Sequence, residues 1–188
     1  MQHKVPFIIL VLLILALLSS MFLFSSQEAS ASSSLSRRVA EWLAAFLNPS
    51  YMRRASEATR NHVINWLVLP VRKGAHFAEF ALLGALAMGA ALCLRLKMGI
   101  RIGCAALFSL VCAMADEFHQ TFVSGRSGSP TDVLIDMGGA LFGILVVWIF
   151  SLAVLYGIGH ARLRRSGKRR KPKGHAGYMA APPPEHYR

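Results

Sequence analysis

Twenty nearly uninterrupted apolar residues run from Val5 to Phe24. As α-helix they make about 30 Å, the thickness of a bilayer core. Three more apolar runs follow, at about Ala75–Leu94, Ile102–Ala115 and Val133–Tyr156. The pattern predicts an all-α, polytopic membrane protein, four transmembrane helices in a small bundle. The first run has a competing reading as a cleaved signal peptide, since Ala29-Ser30-Ala31 has the A-x-A form. It exceeds the roughly 7–15 apolar residues of a signal core, which favours a retained anchor.

Between the first two spans lies a polar connector, Ser25 to Pro70, that opens with serines and then turns amphipathic. Leu35, Val39, Trp42, Leu43, Phe46 and Leu47 share one helical face, with Arg37, Arg38 and Glu41 on the other. Such a helix lies at the membrane interface. Asn48-Pro49 ends it, and a weaker helix with Val63, Trp66 and Leu67 leads to Pro70. The organisation expected is therefore a first span over 1–24, an external amphipathic connector over 25–70, a three-helix membrane domain over 71–158 and a basic disordered cytoplasmic tail over 159–188.

Composition agrees with that class. Of 188 residues 54% are hydrophobic and 16% charged, too apolar for one water-soluble core. The net charge of +12 resembles that of a nucleic-acid binder, but the lysines and arginines sit in loops and the tail beside apolar segments. Anionic lipid of the bilayer is the nearer partner there, and no nucleic acid is expected. Arg95, Lys97 and Arg101 form one basic cluster, and Arg162 to Lys173 another. The positive-inside rule places both in the cytoplasm, with both termini, and puts the connector and the turn from Asp116 to Asp132 outside. Arg37, Arg38, Arg53, Arg54 and Arg60 run against this orientation, although charge in so long a connector counts less. Cys93, Cys104 and Cys112 lie in apolar runs without C-x-x-C spacing and read as packing residues.

The chemistry concentrates in one stretch. Only nine acidic residues exist in the chain, and Asp116, Glu117, Asp132 and Asp136 fall between Ala115 and Gly139, with Glu79 in a similar setting upstream. Ionisable groups beside hydrocarbon are costly unless paired or functional. Lys73, His76 and Glu79 open the second span, Asp116, Glu117, His119 and Gln120 end the third, and Arg126 to Asp136 lead into the fourth, so all three groups meet at one membrane face. Spacings of three and four residues put each set on one helical stripe. Structural readings compete. Ser129-Pro130-Thr131-Asp132 has the form of a helix start, with Ser129 as N-cap and Asp132 closing a capping box. Gly125 serves a turn, Gly139 and Gly143 a small-x-x-x-small helix contact, Lys73 can snorkel to head groups, and the remaining charges with Arg126 can form an internal salt-bridge lock.

Lys73-Gly-Ala-His76-Phe77-Ala-Glu79-Phe80, Asp116-Glu117-Phe118-His119-Gln120-Thr-Phe122-Val123, Gly125-Arg126 and Asp132-Val-Leu-Ile-Asp136 with Gly139 and Gly143 resemble the VanZ-like family over about Val71 to Trp148. The resemblance covers neither the connector nor the basic tail. Ser124 stands where that family often has proline, which loosens the turn. The resemblance implies a small multi-span protein of the bacterial cytoplasmic membrane, in a family whose namesake is linked to resistance against the glycopeptide teicoplanin. It implies no established reaction, cofactor or oligomeric state.

Three functions fit these residues. In the first, Lys73, His76, Glu79, Asp116, Glu117, His119, Gln120, Arg126, Asp132 and Asp136 form an outward-facing pocket for a polar or anionic ligand, such as a lipid-linked envelope precursor or anionic lipid; guanidinium pairs phosphate bidentately. In the second, Glu79, Asp116, His119 and Asp136 hold a divalent metal, and His76, Glu79, Asp116 or His119 act in catalysis on a lipid phosphate or head group. In the third, the chain is a structural partner in a membrane complex. Serine catalysis has no G-x-S-x-G signature to support it.

Overall fold

The computed structural model describes residues 4–169, with side chains through residue 158. Six helices follow one another: α1 (Lys4–Ser25), α2 (Ala29–Leu47), α3 (Pro49–Arg54), α4 (Glu57–Leu92), α5 (Met98–Gln120) and α6 (Pro130–Arg169). Among the described residues there is no strand. α1, α4, α5 and residues Pro130–Ile158 of α6 are each long and apolar enough to cross a bilayer, so the fold is all-α with four spans.

The bundle's outer surface is apolar. Leu12, Leu107 and Leu134 are 60%, 63% and 72% exposed, a face that only lipid covers without cost. Its core joins Ile14 and Met21 of α1 to Phe80, Leu83 and Ala90 of α4, Ala113 of α5 and Ala140 of α6. α1 is thus part of the bundle's packing. The tightest seam runs between α4 and α6. A Cβ on Gly139 would collide with the Phe77 carbonyl, one on Gly143 with the Ala81 carbonyl, and one on Gly84 with the Ala140 carbonyl. Small residues let the two backbones touch.

The connector differs from its expected form. Pro70 does not end a helix: α4 runs through it for 36 residues. A proline inside a helix removes one backbone bond, and here Val63, Ile64, Leu67, Val68 and Val71 pack on both sides of it against Ala40, Ala44 and Met52. α4 is about 54 Å long against a core of about 30 Å, so roughly 16 residues at its start extend past the core. α2 folds back along this extension. Arg37 fixes the pairing by donating to Asn61 Oδ1 at 2.7 Å and Asn65 Oδ1 at 2.6 Å. The face of α2 turned to the protein is its small one, with Ser36, Ala40 and Ala44 buried, while Leu35, Val39, Trp42, Phe46 and Leu47 are exposed. Large apolar side chains face outward because a membrane, unlike water, solvates them.

The third span is longer than its apolar run: α5 begins at Met98 and carries Asp116 to Gln120 as its last turn. Residues from Ser151 form a second compact unit. In it α6 stays helical to Arg169, so residues 159–169 of the segment 159–188 expected to be disordered are helix. The expectation for residues 170–188 lies outside the described residues.

Candidate functional site

The α4–α6 seam sets the site's geometry. Gly139 rests on Phe77, so the preceding turn of α6 brings Asp136 level with His76. The last turn of α5 enters from the side, and the loop back to α6 closes over it. In that loop Gly125 adopts φ +73°, a left-handed conformation suited to glycine. The Ser124 carbonyl beside it accepts from the Ala29 amide at 3.3 Å. That backbone carbonyl ties the turn to the start of α2 without a proline at position 124.

The result is a cavity of about 160 Å³ lined by Arg72, Lys73, His76, Glu117, Gln120, Arg126, Ser127, Ser129, Asp132 and Asp136. A second of about 180 Å³ adjoins it, lined by Met21, Phe24, Ser25, Ser32, Leu35, Ser36, Arg72, His76, Glu79 and Arg126. Arg72, His76 and Arg126 are common to both. The first cavity is walled by charge, and the second adds an apolar side from α1 and α2.

Several charges are committed to holding the loop and the helix ends. Lys73 forms an ion pair with Asp132, so the Asp132 carboxylate does not close a capping box. The Ser129 amide that it would have served donates instead to Glu117 Oε2 at 2.7 Å. Ser129 still caps, its Oγ accepting from the Thr131 amide at 3.2 Å, with Pro130 as the first helical residue. Glu117 and Gln120 are buried. The Gln120 amide donates to Asp116 Oδ2 at 2.9 Å and to Ser25 Oγ at 3.3 Å, which ties the end of α1 to the site.

His119, one residue before Gln120, is turned away. Its ring lies 4.5 Å from that of Phe22. Glu79 reaches the second cavity only. One ligand atom from each of His76, Asp116 and Asp136, by contrast, lies within 4.8 Å of the other two, so these three, and not the set of Glu79, Asp116, His119 and Asp136, are grouped as metal ligands would be.

Arg126 carries the clearest electrostatic signal. Its Nε is buried with no hydrogen-bond partner among the described residues. Burial lowers its guanidinium pKa from the ordinary value, Arg72 lowers it further, and Asp116 and Glu117 oppose them. An arginine stays cationic under such pressure, so the strain falls on the pair of guanidiniums rather than on the proton. The sequence pattern does not single out Arg72. Its position one helical turn before His76, on the same face of α4, was the available signal.

The sequence pattern of the VanZ/LLP1 family matches residues 8–151, most of the 188-residue chain. The chain belongs to the VanZ/LLP1 family. The match begins in α1 and includes the connector, so the resemblance is wider than Val71 to Trp148, and α1 to α3 are part of what the family shares. The connector's alternation of small and large residues carries no sharp motif, which hid it. No curated protein and no solved structure matches the chain.

Proposed function

We propose that this VanZ/LLP1 protein holds the phosphate-bearing head group of a membrane lipid, or of a lipid-linked envelope precursor, in the charged cavity. The observation that carries the reading is the convergence of Arg72 and Arg126 on the junction of two cavities, with the Arg126 Nε buried and unpartnered among the described residues. A phosphate between two guanidiniums relieves their repulsion and accepts forked hydrogen bonds. The second cavity extends the site toward Met21, Phe24 and Leu35, an apolar wall suited to the start of a lipid tail. By the positive-inside rule the cavity opens to the outside of the bacterial cytoplasmic membrane and both termini are cytoplasmic. A ligand drawn from the envelope also fits the teicoplanin association that the family resemblance implies.

The test is binding of phosphatidic acid and of diacylglycerol, its phosphate-free counterpart, to protein in detergent. Wild type prefers the phosphate-bearing lipid, and Arg126→Gln loses about 1.5–3 kcal/mol of that preference, the strength of a charge-assisted hydrogen bond. Equal affinity for both lipids would remove the basis of the reading. A second reading, a metal-dependent enzyme acting on the same phosphate, is favoured by the grouping of His76, Asp116 and Asp136. It predicts phosphate release that stops in Asp116→Ala.

A further inference from the structure

Asp136 is 1% exposed, and neither of its carboxylate oxygens has a hydrogen-bond partner among the described residues. Burying a carboxylate without donors is costly unless a cation or metal balances it. Lys73 does not do so, being paired with Asp132. Asp136 instead converges with side chains from two other helices. Its ligand atom, that of His76 on α4 and that of Asp116 on α5 lie within 4.8 Å of one another, and His76 and Asp136 both line the first cavity. Asp116 is held in place by Gln120, which donates to its Oδ2 at 2.9 Å. That leaves Oδ1 to ligate, in the way that outer hydrogen bonds orient metal ligands.

We propose that His76, Asp116 and Asp136 bind one first-row divalent cation, with its remaining coordination positions turned toward the cavity. One imidazole and two carboxylates form a donor set suited to such ions, and a charge of +2 balances the two aspartates. Three ligands from three spans, held by the glycine seam, leave room for an oxygen of the bound molecule. That last point rests on the phosphate reading above; the cation site itself stands on the three side chains alone. Gln120 is a positioning residue that acts through Asp116.

The test uses Co2+ as the probe, with its visible absorption as the readout, on chelator-treated protein in phosphatidylcholine nanodiscs. Wild type binds one Co2+ per chain. Asp116→Asn and Asp136→Asn each weaken binding at least about 100-fold, His76→Gln changes the absorption band, and Gln120→Ala weakens binding about 10- to 100-fold. Glu79→Gln and His119→Gln bind as wild type does. Arg126→Gln binds Co2+ at least as tightly as wild type, since it removes a positive charge from the same cavity, while losing phosphatidic acid, so failure of the cation site and failure of the lipid reading are separate results. Absence of saturable Co2+ binding to wild type overturns the proposal, whatever the variants do. So does a loss in Glu79→Gln or His119→Gln as large as that in Asp136→Asn.

Discussion

Replacing Gly139 by valine probes the contact on which the site is built. A Cβ at Gly139 would overlap the Phe77 carbonyl and come 3.1 Å from its Cα. Both are backbone atoms, so no side chain can swing aside and the helices must separate. Overpacking of this kind costs about 1–3 kcal/mol, a factor of roughly 5 to 150 in a two-state equilibrium. Because His76 precedes Phe77 and Asp136 lies one turn before Gly139, the same separation pulls the two ligands apart. Gly74 supplies the control, since a Cβ there meets nothing within 4 Å. The assay is the temperature at which detergent-purified protein loses its monodisperse peak, measured beside Co2+ binding. Gly139→Val should lower the temperature and weaken Co2+ binding together, with Gly74→Ala no less stable than wild type and unchanged in Co2+ binding. A Gly139→Val protein as stable as Gly74→Ala would refute the seam and the placement of the site that follows from it.

Glu117→Ala leaves the half-buried Ser129 amide without its acceptor, a loss of about 0.5–1.5 kcal/mol; faster proteolysis of the 121–129 loop would report it, and unchanged cleavage would count against that tie. Lys73→Ala costs little stability, at most about 1 kcal/mol, because both partners of its ion pair are about one-third exposed; a larger drop in melting temperature would show that the pair does more than steady the start of α6. Cysteines introduced at Ser127 and at Leu96 should react with an impermeant thiol reagent from outside and only after permeabilisation, respectively, and the opposite pattern would reverse the orientation.

The four spans were legible in the sequence because a run such as Val5–Phe24 has no alternative in water. Less of the connector could be read. Amphipathic logic turns Leu35, Val39 and Trp42 toward the membrane, and they are exposed, but it does not reveal that Ser36, Ala40 and Ala44 are the packed side, since small residues make the helix contacts in a membrane protein. Pro70 is a stop signal only where nothing supports the helix on both sides, and α2 supplies that support. For the site, topology alone gathers the polar ends of three spans at one face. It does not decide between neighbours on a turn: His119 lies against Phe22 and Gln120 points inward, a difference of one helical step. The roles of Arg72 and Ser25 depend on where α1 and α2 dock, a long-range matter that local spacing does not encode.

Mass spectrometry of lipid retained from the native membrane shows whether the arginines at the two cavities hold a phosphate-bearing lipid. Wild type, Arg126→Gln and Arg38→Gln are purified in parallel, Arg38 being an exposed arginine that lines neither cavity. Wild type and Arg38→Gln should retain a phosphate-bearing lipid, simple or precursor-linked as its mass will tell, that is depleted at least about tenfold in Arg126→Gln. Identical lipid in all three would contradict the lipid reading.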